Sequence, residues 1–421
     1  MDINALPPSL NTFGEGSFAR TGITQLEIPN GVLELPNNCF GDCERLESIT
    51  LPVEFHDFNR WISGCAGLAS IHYTVSDTGV MPDWDDAFNG GRYMYNKLLH
   101  QAGETLEEVR FDEGVTHIGA FAFYNTDEYV LFKRLALPAT VTSIGDSAFY
   151  GASYLEEIDL PEGLTRLGDR CFRGSGLKRA AIPASVTSLG ESCFRFCYHL
   201  TGIAFAEPET PIPNRTIELG ESCFWGSGLL EIALPEGVRT IPDYCFRACE
   251  ALTSVTLPDT LEGIGEEAFN YTSALKGPVR VPDGVNEIHS YAFDENVRPA
   301  LEVYPYSGAH AFCVKEYWPV ILLEYCRFAL PSALTEVKDE AFEGTRAQLV
   351  EFPASCAHIG SAAFRGGEVR VILLPEGIGD IADDALQGCP LRTVVCNEGS
   401  KAWTWALAHG YTARTPFEEA W

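Results

Sequence analysis

The sequence predicts a β-rich solenoid, in which short right-handed coils stack around one continuous core. A dipeptide of a hydrophobic residue and proline recurs every 22 to 24 residues wherever the pattern is uninterrupted. A phenylalanine follows most of these prolines after 11 residues. Hydrophobic residues make up 46% of the 421 residues and charged residues 21%, so the chain has enough apolar material for a long core.

Both markers stay in phase along most of the chain. The prolines are Pro29, Pro52, Pro138, Pro161, Pro183, Pro235, Pro258, Pro282, Pro331, Pro353 and Pro375. The phenylalanines are Phe40, Phe149, Phe172, Phe194, Phe246, Phe269, Phe293, Phe342 and Phe364, with Leu386 in this place after Pro375. Two markers in phase over such a length indicate a structural repeat of about 15 coils, with a period in the leucine-rich-repeat range.

Each position in the repeat has a physical role, as residues 155–172 illustrate. Ile158 alternates with polar neighbours and predicts a short strand, which Pro161 ends because proline lacks a backbone N–H. Gly168 is expected to supply a turn, where positive φ would favour glycine, and Phe172 to fill the interior. One coil cannot bury its apolar face alone, so neighbouring coils are expected to share the core.

The repeat resembles the BspA-like leucine-rich repeat of bacterial proteins, which residues 135–152 and 252–272 match closely. The resemblance extends over almost the whole chain. It implies a leucine-rich-repeat solenoid with short irregular or 3-10 segments and helical caps. It also implies a binding habit, since many family members look like adhesins or surface proteins, and it carries over no catalytic residue.

Two helical segments predict two arrays of coils. Ser400 is a suitable N-cap, and Gly410 a suitable C-terminal stop, for a helix that closes the solenoid. A similar cap-like helix is predicted near residues 307–318. The sequence therefore predicts a first array over residues 1–323 and a second, shorter array over residues 324–421.

The composition excludes some partners. The chain has 29 Lys and Arg residues against 59 Asp and Glu residues, which gives a formal net charge of −30. Such a field repels polyanions, so nucleic acid and anionic membrane surfaces are not expected partners. The acidity is explained either by solubility or by a basic partner. No apolar run is long enough to span a bilayer, so we expect no membrane insertion.

The largest interruption of the repeat, residues 74–103, is the first candidate contact surface. It combines aromatic anchors with acidic neighbours that would form a polar rim. The candidate binding residues are Trp84, Tyr93, Tyr95, Asp83, Asp85 and Asp86. The alternative is a degenerate repeat that buries the same aromatic residues, because Ala87 and Phe88 imitate the usual Ala-Phe pair.

The second candidate surface is the strand face, where residues that flank the inward position should point to the open side of the sheet. Its candidate binding residues are Arg110, Glu157, Asp159 and Arg179. Central strands mostly carry alanine at this position. A flat alanine surface argues against a deep pocket for a carbohydrate or small molecule and favours a broad protein contact or a spacer.

Cysteine and serine patterns do not predict a metal site or a catalytic site. The C-x-x-x-C pairs, such as Cys193 and Cys197, belong to different coils and lack paired histidines. Several cysteines occupy positions that other coils fill with alanine, so buried structural thiols are expected, and metal or redox use is the alternative. No serine is accompanied by a recognisable base and oxyanion site. We expect no metal, no cofactor and no enzymatic activity.

The sequence thus predicts a non-catalytic protein-interaction or adhesion module of a bacterial cell-surface-type protein, with a host or surface protein as the partner. The alternative is an intracellular scaffold or structural spacer without its own ligand. The first ten residues carry no export signal. We therefore expect an extracellular or cell-surface location if a signal peptide was removed, and a cytoplasmic one otherwise.

Overall fold

The computed structural model describes residues 6, 10–55, 61–75, 79–83, 108–124, 133–210, 212 and 215–416. In these residues the chain winds into a solenoid of about 15 coils with parallel strands. The predicted fold class is confirmed. The chain divides into two compact units, which we call the first unit (residues 1–260, 264–277 and 291–298) and the second unit (residues 261–263, 278–290 and 299–421). The division into arrays at residue 323 stays a prediction.

Each coil opens with a strand of two to five residues. In the first unit these strands are Gln25–Glu27, Ser48–Pro52, Ser70–Thr74, Glu108–Phe111, Arg134–Ala136, Glu157–Asp159, Arg179–Ile182, Gly202–Phe205, Glu231–Ala233 and Ser254–Thr256. In the second unit they are Val279–Arg280, Leu301–Val303, Val320–Leu322, Arg327–Ala329, Leu349–Glu351, Val371–Leu373, Thr393–Val395 and Thr412–Arg414. Two-residue strands on the return leg are His117–Ile118, Ser143–Ile144, Arg166–Leu167, Ser188–Leu189, Glu218–Leu219, Thr240–Ile241, Gly263–Ile264, Glu287–Ile288, Glu336–Val337, His358–Ile359 and Asp380–Ile381.

The strand register keeps one residue of each coil inside the core. Ile49 pairs with Ile71 between neighbouring strands, and both side chains are buried. In strand Glu157–Asp159, Ile158 is buried and both flanking residues are exposed. Side chains alternate along a strand, so a parallel register without slippage brings like residues together in every coil. The outward direction predicted for Glu157 and Asp159 is confirmed.

A ladder of stacked phenylalanine rings fills the core of the first unit. The rings are Phe123, Phe149, Phe172, Phe194, Phe224, Phe246, Phe269 and Phe293. Successive ring centroids lie 5.1 to 5.6 Å apart, and each of these side chains is at most 1% exposed. Offset-stacked aromatic rings stabilise a core beyond their buried area. The predicted interior role of Phe172 is confirmed.

The turn before each phenylalanine differs from the prediction for Gly168. Positive φ occurs two residues later, at Arg170, with a φ of 55°. Glycine is needed at 168 for a different reason, because a Cβ there would lie 2.5 Å from Asp146 Oδ1 and 2.6 Å from the backbone nitrogen of Asp146. The close approach of two coils, rather than backbone handedness, selects glycine at this position.

Two helices replace return legs in the second unit, as the sequence predicts. Helix α1 spans Gly308–Lys315, and the Ser307 side chain caps it by accepting the N–H of His310. Helix α2 spans Lys401–Ala408, and Ser400 accepts the N–H of Trp403 in the same way. A serine oxygen at this position satisfies one of the free N–H groups of the first turn. Gly410, just beyond α2, has a φ of 76°.

The outward strand face is covered at three strands of the second unit, Leu349–Glu351, Val371–Leu373 and Thr393–Val395, which corrects the expectation that this face is open throughout. Leu349 is 6% exposed, and Val371 and Val395 are each 2% exposed on this face. Tyr325 completes a buried cluster with them, and Tyr304, Tyr306 and Leu373 pack against it. The side chains of this cluster are mostly apolar, so covering them removes apolar area from water.

Candidate functional site

In the first unit, six successive stacked phenylalanines are each followed by an aromatic residue or an arginine, and five of these six residues are partly exposed while Tyr124 is buried. In six consecutive coils these residues are Tyr124, Tyr150, Arg173, Arg195, Trp225 and Arg247. We define the arginine-aromatic ladder as Tyr150, Arg173, Arg195, Phe196, Trp225, Arg247 and Tyr271. Tyr271 is half-exposed and the other members are partly buried. Trp, Tyr and Arg are the residues that most often carry the binding energy of protein interfaces.

Backbone hydrogen bonds between coils hold the ladder in register. The N–H of Phe172 donates to the carbonyl of Cys193 over 2.9 Å. The N–H of Gly174 donates to the carbonyl of Arg195 over 2.8 Å, and the N–H of Gly226 donates to Arg247 over 2.8 Å. Because these bonds recur at the turn, the ladder side chains project from a fixed backbone rather than from a loose loop.

Each ladder arginine stacks on two aromatic rings, and at least one of the two comes from a neighbouring coil. The Cζ atom of Arg173 lies 5.3 Å from the ring centroid of Tyr150 and 5.5 Å from that of Phe196. The Cζ atom of Arg195 lies 4.7 Å from the Phe196 centroid and 3.8 Å from the Trp225 centroid. Cation–π contacts of this kind contribute about 0.5 to 2 kcal/mol each, depending on desolvation.

The next arginine continues the same stack. The Cζ atom of Arg247 lies 4.9 Å from the Trp225 centroid and 5.1 Å from the Tyr271 centroid. Trp225 therefore contacts Arg195 from the preceding coil and Arg247 from the following coil. The alternation of cations and rings makes a continuous strip that is rigid and amphipathic.

Phe196 occupies an unfavourable backbone conformation at the centre of the ladder. Its φ is 61°, and the corresponding residues of other coils include Gly151, Gly174 and Gly226, with φ between 68° and 70°. A left-handed conformation costs a non-glycine residue about 1 to 2 kcal/mol. Glycine would remove this cost, but only a side chain at this place can present a ring to both Arg173 and Arg195.

The ladder arginines differ in their ion pairs. Arg170, beside the ladder, pairs with Glu191 at 2.9 Å, and Arg247 pairs with Glu267. Within the described residues, Arg173 and Arg195 have no carboxylate partner. The Nε atom of Arg195 is buried without a hydrogen-bond acceptor in the same part of the chain. Burial, followed by repulsion from Arg173, lowers the pKa of the Arg195 guanidinium from its ordinary value.

The sequence-predicted residues of the insertion lie mostly outside the described residues. Trp84, Asp85, Asp86, Tyr93 and Tyr95 are in this group. Their role stays a prediction.

Asp83 is described, and it has the role of a repeat residue. Its Oδ1 accepts the backbone N–H of Ala120 over 2.7 Å. In another coil, Oδ1 of Asp243 accepts the N–H of Glu266 over the same distance. Met81, two residues before Asp83, is buried at 1% exposure. The beginning of the insertion therefore follows the repeat.

The predicted strand-face residues lie on the surface of the strands Glu108–Phe111, Glu157–Asp159 and Arg179–Ile182. Arg110 pairs with Glu108 of its own strand at 2.6 Å. Glu157 and Asp159 lie 3.7 and 3.2 Å from guanidinium nitrogens of Arg134. These exposed pairs contribute little to binding or stability because water screens them.

Arg179 is exposed at the start of its strand.

The sequence interpretation missed the arginine-aromatic ladder, although its signal was visible as the run Tyr, Arg, Arg, Trp and Arg directly after successive phenylalanines. The interpretation tracked the period of the core residues and did not compare the surface residues beside them.

The family model described as BspA type leucine rich repeat region matches residues 2–81, 127–215, 208–298 and 323–404. The chain belongs to the BspA-type leucine-rich repeat family. The resemblance drawn from the sequence is confirmed. Among the curated proteins, none matches the chain.

Several solved structures of bacterial leucine-rich repeat proteins are similar to this chain. A leucine-rich repeat protein from Bacteroides ovatus is 19% identical, with a TM-score of 0.39, over 93% of this chain and 92% of that one. A leucine rich cell surface protein from Faecalibacterium prausnitzii is 23% identical, with a TM-score of 0.36, over 69% of this chain and 90% of that one. A leucine-rich repeat protein from Eubacterium ventriosum is 18% identical, with a TM-score of 0.35, over 65% of this chain and 82% of that one.

One serine, histidine and aspartate meet on the return leg of this BspA-type solenoid. Nδ1 of His117 lies 2.7 Å from Ser143 Oγ, and Nε2 of His117 lies 3.7 Å from Asp83 Oδ1. The second distance exceeds that of a hydrogen bond, and Asp83 Oδ1 already accepts the N–H of Ala120. The three groups therefore lack the oriented hydrogen bonds by which a catalytic triad moves a proton.

Within the described ranges, no group of three or more histidine, cysteine, aspartate or glutamate residues is arranged to hold a metal ion. In the same part of the chain, no helix has the length and apolar character needed to cross a bilayer.

The cysteines of the BspA-type repeats are mostly core thiols. Of the fourteen, all in the described residues, twelve are buried, Cys389 is half-buried and Cys326 is exposed, and none forms a disulfide. Sγ of Cys197 donates to the carbonyl of Phe172 at 3.0 Å, and Sγ of Cys249 donates to the carbonyl of Phe224 at 3.1 Å. The second cysteine of each C-x-x-x-C pair thus satisfies a buried carbonyl of the preceding coil.

Thiol labelling should separate these classes. Burial raises the pKa of Cys197 to about 12 and that of Cys249 to about 11, so at pH 8 both remain thiols rather than reactive thiolates. We expect Cys326 to react first with a maleimide, Cys389 more slowly, and the remaining cysteines only after denaturation. Mass spectrometry of timed samples measures this, and Cys326→Ser should abolish the fast phase. Rapid labelling of several buried cysteines in the native protein would contradict the assignment.

Proposed function

We propose that this BspA-type protein is a protein-interaction module whose main contact surface is the arginine-aromatic ladder. The observation that carries the proposal is the placement of Trp225 between Arg195 and Arg247 on a rigid turn surface. Pre-organised aromatic and arginine side chains lose little conformational entropy on binding, which is typical of interface hot spots. Phe196 adopts a left-handed backbone conformation while its ring contacts both Arg173 and Arg195, which supports the proposal.

The strand face offers less to a partner. Its central positions, Ala181, Ala204 and Ala233, are exposed and flat. Alanine provides neither an anchor nor a hydrogen-bonding group. Residues 74–103 remain a second candidate contact segment, as the sequence predicts, with Trp84, Tyr93 and Tyr95 as its anchors.

We further propose that the module acts at the bacterial cell surface or outside the cell, as an adhesion protein that binds a host or surface protein. Membership in the BspA-type family supports this proposal. The alternative is an intracellular scaffold or spacer. Protease treatment of intact cells, followed by detection of the protein with an antibody, separates the two: a surface protein is digested, and an intracellular one is protected until lysis.

Phe196→Gly tests the contact surface without removing core. Glycine relieves the left-handed strain but removes a partly buried ring, so we expect the free energy of unfolding to change by no more than about 1 kcal/mol. Binding to a protein captured from cells that make this protein should weaken at least tenfold, which corresponds to about 1.4 kcal/mol. Surface plasmon resonance measures the affinity.

Trp225→Ala should weaken binding by a similar or larger factor. The matched control is Leu230→Ala, because Leu230 is 48% exposed just beyond the same turn and is not part of the ladder. If both ladder variants keep the affinity of the wild type while remaining folded, the contact surface is elsewhere.

A further inference from the structure

We propose that Arg173 and Arg195 together form a carboxylate-binding subsite, and that the partner inserts an Asp or Glu side chain carried between apolar residues of a peptide segment. The inference rests on the proposed function and specifies the chemistry of the partner at the ladder. Its basis is the surroundings of the two guanidinium groups. Aromatic rings stack on both groups, and neither group has a carboxylate partner among the described residues.

The faces of both guanidinium groups are occupied by rings. Arg173 lies between Tyr150 and Phe196, and Arg195 lies between Phe196 and Trp225, with Cζ-to-centroid distances of 3.8 to 5.5 Å. A ligand can therefore reach these groups only at their edges, where the N–H donors are. The planar edge of a guanidinium matches the two oxygens of a carboxylate in a bidentate arrangement.

The N–H donors of Arg173 and Arg195 have no carboxylate acceptor among the described residues, although the chain is rich in carboxylates. The sequence has 59 acidic residues, and the neighbouring Arg170 and Arg247 are both paired with glutamate. Arg173 and Arg195 have no such partner among the described residues, although both contact the same Phe196 ring. Two adjacent cations repel each other, and a buried Nε without an acceptor destabilises the free protein. A carboxylate bound at the terminal nitrogens of the two guanidinium groups reduces their mutual repulsion.

The net charge of the protein favours a ligand with few carboxylates over a polyanion. A formal charge of −30 repels nucleic acids, sulfated polysaccharides and long acidic tracts at a distance. A segment with one or two carboxylates avoids most of this repulsion. Trp225 and the 68% exposed Tyr198, which stacks on Phe196 at 5.9 Å, would contact apolar residues on either side of the carboxylate. These features favour a peptide over a polyanion.

The test is a selection of random dodecapeptides displayed on phage, with the full chain as bait. We expect the selected peptides to share an Asp or Glu beside aromatic or aliphatic residues. A synthetic copy with an amidated C-terminus should bind at least tenfold more tightly than its Glu→Gln version, as fluorescence anisotropy measures. The amide excludes a contribution from the terminal carboxylate, and the Glu→Gln change leaves the protein untouched.

Protein variants locate the subsite. Arg173→Gln and Arg195→Gln should each weaken peptide binding at least fivefold. Arg195→Lys should not preserve the wild-type affinity, because an ammonium group lacks the planar arrangement of N–H donors of a guanidinium group. The matched control is Arg179→Gln, which removes an exposed arginine from the strand face. Inorganic phosphate at 10-fold excess over the peptide should compete weakly, whereas strong competition would indicate a general anion site and overturn the peptide assignment.

The outcomes distinguish the two proposals. Peptides that need Trp225 but tolerate Arg173→Gln, Arg195→Gln and Glu→Gln would overturn the carboxylate subsite and leave the ladder as the contact surface. Peptides that bind independently of Trp225 and of both arginines would overturn both proposals. A selection that yields no ladder-dependent peptide also overturns the subsite.

Discussion

Replacing Phe172 with alanine is expected to lower the free energy of unfolding by about 3 to 5 kcal/mol. The Phe172 ring is fully buried, and its centroid lies 5.2 Å from that of Phe149 and 5.4 Å from that of Phe194. Alanine would leave a cavity between two stacked rings that belong to different coils. Chemical denaturation measures the total loss.

The position of the damage is also predicted. In a solenoid each coil contacts only its neighbours, so the coils around Phe149 and Phe194 should lose hydrogen-exchange protection before distant coils. The control is Tyr198→Ala, which removes an aromatic ring that is 68% exposed and should change stability by less than about 1 kcal/mol. Equal deprotection from end to end would show that the array unfolds as a single cooperative unit.

The second large effect is expected at a buried carboxylate in the second unit. The Asp283 side chain is 5% exposed, and its oxygens lie 3.1 Å from Nη1 of Arg370 and 3.6 Å from Nε of Arg392. Asp283→Asn should lower the free energy of unfolding by about 2 to 3 kcal/mol, since it removes the carboxylate charge that the guanidinium groups of Arg370 and Arg392 contact. The loss is smaller than for a fully buried pair because water reaches both arginines.

A double-mutant cycle tests the origin of that loss. Arg370→Gln in the Asp283→Asn background should cost less than Arg370→Gln alone, because the interaction is already absent. Glu398→Gln is the matched control, since Glu398 is exposed in the same unit. Additive losses in the cycle would mean that Asp283 stabilises the fold through its backbone turn rather than through the ion pairs.

Much of the fold could be predicted because the repeat couples sequence to structure locally. The proline that ends each strand and the phenylalanine 11 residues later determine which side chains enter the core, so the Phe172 ladder follows from the period alone. The caps at Ser307 and Ser400 are equally local, because a serine oxygen needs only the next three residues to cap a helix.

The candidate site was less accessible to sequence reasoning. Arg173, Phe196 and Trp225 are separated by many residues, and each is unremarkable in its own coil. Only the inter-coil register places Arg173 against Phe196, and Arg195 against Trp225. The contact depends on stacking of coils, so it becomes visible in the sequence only when surface positions are aligned by the same period as the core.

The sequence by itself determined the coil, its period and its buried face, because side-chain alternation and a shared core act within one or two repeats. Only the tertiary structure decided which of the equivalent polar positions of the repeat become buried. Asp283 occupies the same Pro-acid-Gly position as Glu162, Glu236 and Glu376, yet those three are exposed and Asp283 is buried. The difference arises from Arg370, 87 residues away, and no local pattern encodes a contact over that distance.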